Sequence, residues 1–154
     1  MRVKRGKFDK ILNNLCLIFL IGISIFILGI WCEIPDKVPM HYDSVGNVTR
    51  WGSKLQLIIL PIIAWIMYAF CTLIERIPDE WNTLVKVTEK NKEQVYLTLL
   101  HFISTIKFIF VCSFSYIILQ SALVWKLSKW FVTIELFAIF SSIIYFGYQL
   151  FIHK

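Results

Sequence analysis

Long apolar runs constrain the fold of this chain more than any other feature. Residues 11–32 and 55–74 contain no charged side chain, and two further apolar stretches, 94–125 and 131–152, contain only one each. A helix of about 20 residues, rising ~1.5 Å per residue, crosses the ~30 Å hydrocarbon core of a bilayer. The pattern predicts an all-α membrane protein with four transmembrane helices.

Composition supports one membrane-embedded domain. Of the 154 residues, 58% are apolar and 17% are charged, whereas about a quarter of the residues in a soluble domain carry a charge. We therefore expect one four-helix domain over residues 1–154, with an outer loop at 32–53 and a cytoplasmic loop at 75–96. The predicted helices cover about 9–31, 53–74, 88–120 and 130–152.

Local signals define the second and third helices. Ser53 is predicted to cap the second helix, since its hydroxyl can accept a free N–H of the first turn. Pro61 is expected to bend that helix, because it has no N–H to donate to the carbonyl of Leu57. The segment Thr88-Glu-Lys-Asn91 is predicted to start the third helix, with Thr88 as its cap and Glu89 in its first turn.

The distribution of Lys and Arg predicts the orientation. Ten of the 16 basic residues lie before the first helix, between the second and third, or at the C-terminus, and five lie on the opposite side. Cytoplasmic loops carry the excess of basic residues, so both termini are predicted in the cytoplasm and the loop at 32–53 outside. The first apolar run is too long for a cleaved signal peptide and is interpreted as an anchor. Topology explains the net charge of +6, and no nucleic-acid partner is predicted.

No pattern indicates catalysis or a resident metal. The cysteines form no CxxC pair and are interpreted as small apolar side chains; they are Cys16, Cys32, Cys71 and Cys112. The chain has no GxSxG, HExxH or P-loop pattern. We predict a non-enzymatic protein without a cofactor.

The outer loop is predicted to form a β-hairpin. Gly46 and Asn47 are typical turn residues, and Pro35 and Pro39 should stiffen the approach. A four-residue turn would pair Asp43 with Val48, Tyr42 with Thr49, His41 with Arg50 and Met40 with Trp51. Alternation would then direct one set of side chains to the bundle or lipid surface: Met40, Tyr42, Thr49 and Trp51. The other set would face solvent or a partner: His41, Asp43, Val48 and Arg50.

Three interpretations remain open for His41 and Asp43. They could bind a metal ion with Glu33 or Asp36. They could recognise a peptide or another ligand at the cell surface. They could instead hold the loop together, with His41 bonding a carbonyl and Asp43 capping the turn. The candidate ligand-binding residues are His41, Asp43, Arg50 and Trp51.

The outer loop resembles a known family. The matching motifs are Pro35-Asp-Lys-Val-Pro39-Met-His41-Tyr-Asp43, then Gly46-Asn47, then Gly52-Ser53-Lys54, with a second match at Val87-Thr88-Glu89-Lys90-Asn91. They are similar to the bacterial membrane domain of unknown function 1648, in which Tyr often stands at the position of Trp51. The resemblance implies a protein of the bacterial inner membrane with no assigned reaction. The same domain opens longer proteins similar to the SdpI immunity protein, which protects a cell from a secreted peptide toxin and relays its presence to a regulator. With four predicted spans, we expect the later SdpI-like part, and with it the relay, to be missing.

Two charged residues lie inside predicted spans. Lys107 and Glu135 are functional candidates, because a charge at membrane depth needs a partner or water. The helices that carry them are joined by a short loop, so we predict that the two side chains are coupled. Alternatively, each snorkels alone to the nearer surface, or both line a proton or ion path. His101 is predicted to bond a headgroup or a carbonyl.

Together these features favour a multi-pass protein that binds or senses a ligand at the cell surface, with immunity to a membrane-active peptide as one form of that function. The alternative is an oligomeric small transporter or channel component that uses Lys107 and Glu135. The predicted partners are the lipid bilayer, a peptide toxin or another membrane protein, and further copies of the chain.

Overall fold

The computed structural model describes residues 4–152; Arg2 and Lys154, which enter the charge count, lie outside this range. The elements are α1 (Lys7–Gly29), β1 (Lys37–Tyr42), β2 (Val48–Ser53), α2 (Lys54–Leu57), α3 (Ile59–Ile74), a 3₁₀ turn (Pro78–Glu80), α4 (Lys92–Ala122) and α5 (Phe131–Ile152). Within the described range, four helical segments are long and apolar enough to span a membrane: Lys7–Gly29, Lys54–Ile74, Lys92–Ala122 and Phe131–Ile152. The predicted fold class is confirmed, and the helices indicate a membrane-embedded protein.

The helix α4 lies at the centre of the bundle and packs against α1, α3 and α5. Two apolar layers join α1, α3 and α4. One layer, near mid-helix, contains Cys16, Leu20, Ala64 and Val111. The other, next to the hairpin, includes Ile23, Ile27, Leu57 and Ile118. The chain thus has a hairpin end, which carries β1 and β2, and an opposite terminal end, where α1 begins and α5 ends.

Pro61 interrupts the second span, as predicted. The break falls at Ile58, between α2 and α3, because the proline ring clashes one turn earlier and leaves the carbonyl of Leu57 without its usual donor. Ser53 caps α2, also as predicted, since its Oγ accepts the N–H of Leu55 at 3.3 Å.

The predicted start of the third span was wrong. The helix α4 begins at Lys92, and residues 88–91 form a turn closed by the N–H of Lys92, which donates to the carbonyl of Thr88 at 3.0 Å. The Oδ1 of Asn91 accepts the N–H of Thr88 at 2.7 Å, and its Nδ2 donates to the carbonyl of Lys86 at 3.0 Å. An Asn side chain competes with helical bonding in this way, so Thr88 starts a turn instead of capping a helix.

The hairpin forms, but its register differs from the prediction. His41 pairs with Arg50 as predicted, whereas Tyr42 lies opposite Val48 and Pro39 opposite Trp51. The register shifts on both sides of His41, and such irregularities redirect side chains. His41 and Thr49 were predicted on opposite faces of the hairpin. That prediction was wrong for this pair, because Nδ1 of His41 lies 2.7 Å from Oγ1 of Thr49.

One side of the hairpin docks on the turn between α4 and α5. Val38 is fully buried, and the hydroxyl of Tyr42 lies 3.2 Å from Oγ of Ser121 and donates to the carbonyl of Trp125 at 3.3 Å. Burial raises the pKa of Tyr42, while the Ser121 contact acts in the opposite direction. The phenol is therefore neutral at physiological pH and can donate this bond.

The hairpin tip is held by Gly46. Its carbonyl accepts the N–H of Leu127 at 3.1 Å, and its φ is +86°. A Cβ at this position would lie 2.1 Å from the carbonyl oxygen of Leu127, so only glycine combines this conformation with this approach.

Replacing Gly46 by Ala should detach the tip from the α4–α5 turn. The left-handed backbone alone disfavours Ala by about 1 kcal/mol or more, and the clash adds to that. Hydrogen exchange of the Leu127 amide should accelerate. Gly147→Ala is the matched control, since a Cβ there meets nothing within 4 Å. Equal exchange of Leu127 in the two variants would contradict the proposed docking.

Candidate functional site

The exposed part of the hairpin forms the first candidate site. His41, Thr49 and Arg50 are exposed, and Trp51, predicted to face the bundle or lipid surface, is 52% exposed. These four residues are called the hairpin surface below. Trp and Arg are enriched among the residues that dominate binding energies at interfaces, which makes this surface a candidate for recognition.

Asp43 has a different role from the rest of the predicted ligand-binding set. Its Oδ1 accepts the N–H groups of Val45 and Asn47 at 3.0 and 2.8 Å, and its Oδ2 accepts Nδ2 of Asn47 at 3.1 Å. The bond from the Asn47 N–H is the main cause that lowers the pKa of Asp43 below its usual range. The ionised carboxylate therefore holds the turn, which agrees with the structural interpretation of this residue.

The metal interpretation finds no matching geometry in the range 4–152. No group of three His, Cys, Asp or Glu side chains there lies close enough to hold a metal ion. His41 instead contacts Thr49, and Asp36 lies 3.5 Å from Nζ of Lys54.

A buried ion pair at the terminal end forms the second candidate site. Nζ of Lys107 lies 2.7 Å from Oε1 of Glu75, and both side chains are 1% exposed. The same ammonium donates to Oδ1 of Asn13 at 3.1 Å and to Oγ1 of Thr72 at 3.4 Å. Its three protons therefore have three oxygen partners, supplied by α1, α3 and the residue that follows α3.

Glu75 connects this pair to the start of the chain. Its Oε2 accepts a hydrogen bond from Nη2 of Arg5 at 2.5 Å. Its Oε1 also accepts one from the hydroxyl of Ser104 at 3.0 Å. A second pair lies beside the first, with Nδ1 of His101 2.6 Å from Oδ1 of Asp9. The predicted headgroup or carbonyl partner of His101 is thus replaced by a carboxylate.

These residues form a buried charge cluster, defined as Arg5, Asp9, Glu75, His101 and Lys107. It contains two carboxylates and three basic side chains, and each carboxylate contacts at least one of the basic groups. The side chains of Arg5 and His101 are 28% and 27% exposed, so the cluster reaches the surface at the terminal end. Toward the hairpin it stops at the apolar layer that contains Leu20 and Val111.

The predicted coupling of Lys107 with Glu135 was wrong, because Lys107 pairs with Glu75. Glu135 instead bonds the hydroxyl of Ser113. Lys107 and Ser113 are six residues apart on α4, a rotation of about 240° at 3.6 residues per turn. Lys107 therefore faces α1 and α3, whereas Ser113 faces α5.

Sequence reasoning missed the carboxylate partner, since Glu75 was assigned only to the end of a helix. A helical spacing of polar residues at the ends of the apolar runs would have revealed it. On three helices such residues recur every three or four positions: Arg5, Asp9 and Asn13; Tyr68, Thr72 and Glu75; His101, Ser104 and Lys107.

Comparison with known proteins agrees with the class that the fold defines, a membrane-embedded protein of four apolar helices. The family model described as Domain of unknown function (DUF1648) matches residues 17–65. This segment contains most of α1, the hairpin, α2 and part of α3, and the match confirms the resemblance predicted from the outer loop. All five residues of the buried charge cluster lie outside it. No curated protein and no solved structure matches the chain.

Removing Lys107 should be far more costly than removing a surface charge. Lys107→Met leaves Glu75 buried with one cation fewer, and the loss of one partner of a buried pair typically costs about 3–5 kcal/mol. Adding Glu75→Gln should recover part of this loss, because it removes a buried charge that then has only Arg5 as its cationic partner. Thermal unfolding of the purified protein in detergent measures both effects.

Glu135→Gln is the matched control for this cycle. Combined with Lys107→Met, it should recover none of the lost stability, since Lys107 and Glu135 have different partners. Recovery with Glu135→Gln but not with Glu75→Gln would contradict the observed pairing.

Proposed function

We propose that this is a non-enzymatic integral membrane protein that binds a ligand through the hairpin surface. One observation carries the proposal: the hairpin is fixed to the bundle through Tyr42 and Gly46, while Arg50 and Trp51 remain exposed. A surface already held in one shape loses little conformational freedom when it binds. Rigid support beneath exposed aromatic and basic side chains therefore favours a recognition role.

The distribution of basic residues supports an outward-facing hairpin, with both termini in the cytoplasm of a bacterial cell. Lys4, Arg5, Lys7 and Lys10 precede or begin α1 at the terminal end, where the positive-inside rule places them in the cytoplasm. A ligand that reaches the hairpin surface would then come from outside the cell.

A membrane-active peptide is the ligand class that best fits this location. Trp51 and Arg50 lie on a segment that immediately precedes a membrane span, so a peptide that partitions to the lipid surface would meet them there. The resemblance to the domain that opens SdpI-like proteins supports immunity to such a peptide as the biological role. By binding the peptide at the outer surface, the hairpin would keep it from inserting into the membrane.

The alternative, an oligomeric transporter using Lys107 and Glu135, has less support. The two residues point to different neighbours of α4, and an apolar layer lies between Lys107 and the hairpin end. A conducting path along the bundle would have to cross that layer.

Trp51→Ala should weaken protection without affecting membrane insertion. In cells lacking the gene and challenged with peptides secreted by neighbouring cells, the wild-type chain should restore growth. Trp51→Ala should lower the tolerated dose by roughly thirtyfold, the equivalent of a binding hot spot of about 2 kcal/mol. Arg50→Ala should act in the same direction.

The matched control is Trp130→Ala, because Trp130 is 58% exposed but lies outside the hairpin, directly before α5. It should protect as well as the wild type at equal membrane yield. Full protection by Trp51→Ala, or equal loss with both tryptophan variants, would overturn the role of the hairpin surface.

The orientation can be tested independently with a cysteine at the hairpin tip. Asn47→Cys in a Cys32→Ser background should react with a membrane-impermeant maleimide on intact cells, because Asn47 is exposed. Cys32 is replaced since it is exposed near the base of the hairpin. Reaction only after lysis would place the hairpin in the cytoplasm and exclude an extracellular ligand.

A further inference from the structure

A lateral groove opens between α1 and the interrupted second span, near the hairpin end. Its volume is about 570 Å³, and its walls include Leu28 and Trp31 on one side and Ile58, Pro61 and Trp65 on the other. The break at Ile58 lies in this wall, so the proline interruption shapes the groove.

The deep end of the groove is closed by a side-chain contact. Nε1 of Trp65 donates to Oγ of Ser24 at 3.2 Å, and that hydroxyl donates to the carbonyl of Leu20 at 2.7 Å. The polar atoms at this end are therefore satisfied internally, which leaves an apolar surface for an occupant.

A cation lies at the mouth. Nζ of Lys54 is 5.7 Å from the centroid of the Trp31 ring. Its other contacts are long: 3.5 Å to Oδ1 of Asp36 and 3.4 Å to the carbonyl of Ile34. The Asp36 side chain is 94% exposed, and ion pairs with such an exposed partner are weak. Lys54 can therefore exchange this carboxylate for another anion.

We propose that the groove binds one anionic phospholipid, with an acyl chain between Leu28 and Ile58 and the phosphate on Lys54. Both features of the site match that ligand. The groove faces sideways from helices that span a membrane, and a basic residue beside a Trp is typical of the level of lipid headgroups.

The size of the groove argues against a transmembrane helix as the occupant. A helix with its side chains is about 10–12 Å in diameter, so a groove of about 570 Å³ cannot enclose one and would accept only part of its face. A single extended hydrocarbon chain is much thinner and fits along the groove.

A second groove in the same protein provides an internal comparison. It has a volume of about 360 Å³, lies between α1 and α4, and is lined by residues that include Gly22, Phe26 and Leu119. Neither groove has a Lys or Arg among its lining residues, but Trp31 of the first groove lies beside Lys54. The pairing of an apolar groove with a cation therefore distinguishes the first groove.

Native mass spectrometry of the full chain, titrated in detergent with phosphatidylglycerol or with diacylglycerol, tests the proposal. One phosphatidylglycerol should be retained in preference to diacylglycerol. Lys54→Met should reduce that preference about fivefold, the effect of one basic side chain at a lipid surface. Asp36→Asn should increase it, because the competing carboxylate is removed, and Lys37→Met should leave it unchanged.

Leu28→Trp should block the groove and weaken retention of both lipids. Ile25→Trp is its matched control on the same helix, since Leu28 and Ile25 are 75% and 64% exposed but only Leu28 lines the groove. Equal retention by these two variants, or an unchanged lipid preference in Lys54→Met, would overturn the proposal. Inorganic phosphate that displaces the lipid would indicate a simple anion site, and a dimer lost on Leu28→Trp would indicate a second copy as the occupant.

Discussion

The structure depends on the need to neutralise charge inside the hydrocarbon layer. Lys107 lies deep in α4, and an ammonium there is stable only with close partners. Glu75 and Asn13 supply two of them, from the end of α3 and from α1. The rotation and axial position of the three helices bring all these oxygens to the same nitrogen. A buried ion pair adds little net stability compared with apolar packing, so its value here lies in fixing the register of the bundle.

The two ends of the bundle have different physical characters. The terminal end contains the buried charge cluster, in which every carboxylate has a basic partner. The hairpin end contains an apolar layer, a docked two-stranded sheet and exposed aromatic and basic side chains. Because an apolar layer separates the ends, the cluster organises the helices while the hairpin end presents the surface that other molecules can reach. The proposed ligand and lipid sites both lie at the hairpin end.

Features encoded by long stretches of sequence could be predicted, and those that depend on side-chain direction could not. The four spans follow from apolar length alone, and the break before Pro61 follows from the chemistry of proline. The pairing of His41 with Arg50 was also predicted, but nothing in the alternation marks the irregularities beside His41. Loop length suggested that Lys107 would meet Glu135. The actual partner was decided by which face of α4 carries Lys107, a property that requires the helix phase relative to α1 and α3.

The hydrogen bond between Gly46 and Leu127 joins the segment matched by the family model to a later part of the chain. Residues 17–65 include the hairpin, yet the tip of that hairpin is hydrogen-bonded to Leu127, about eighty positions later in the chain. The matched segment therefore makes a structural contact with a part of the chain that lies outside it. During synthesis the hairpin would lack this contact until α4 and the turn that follows it had been made.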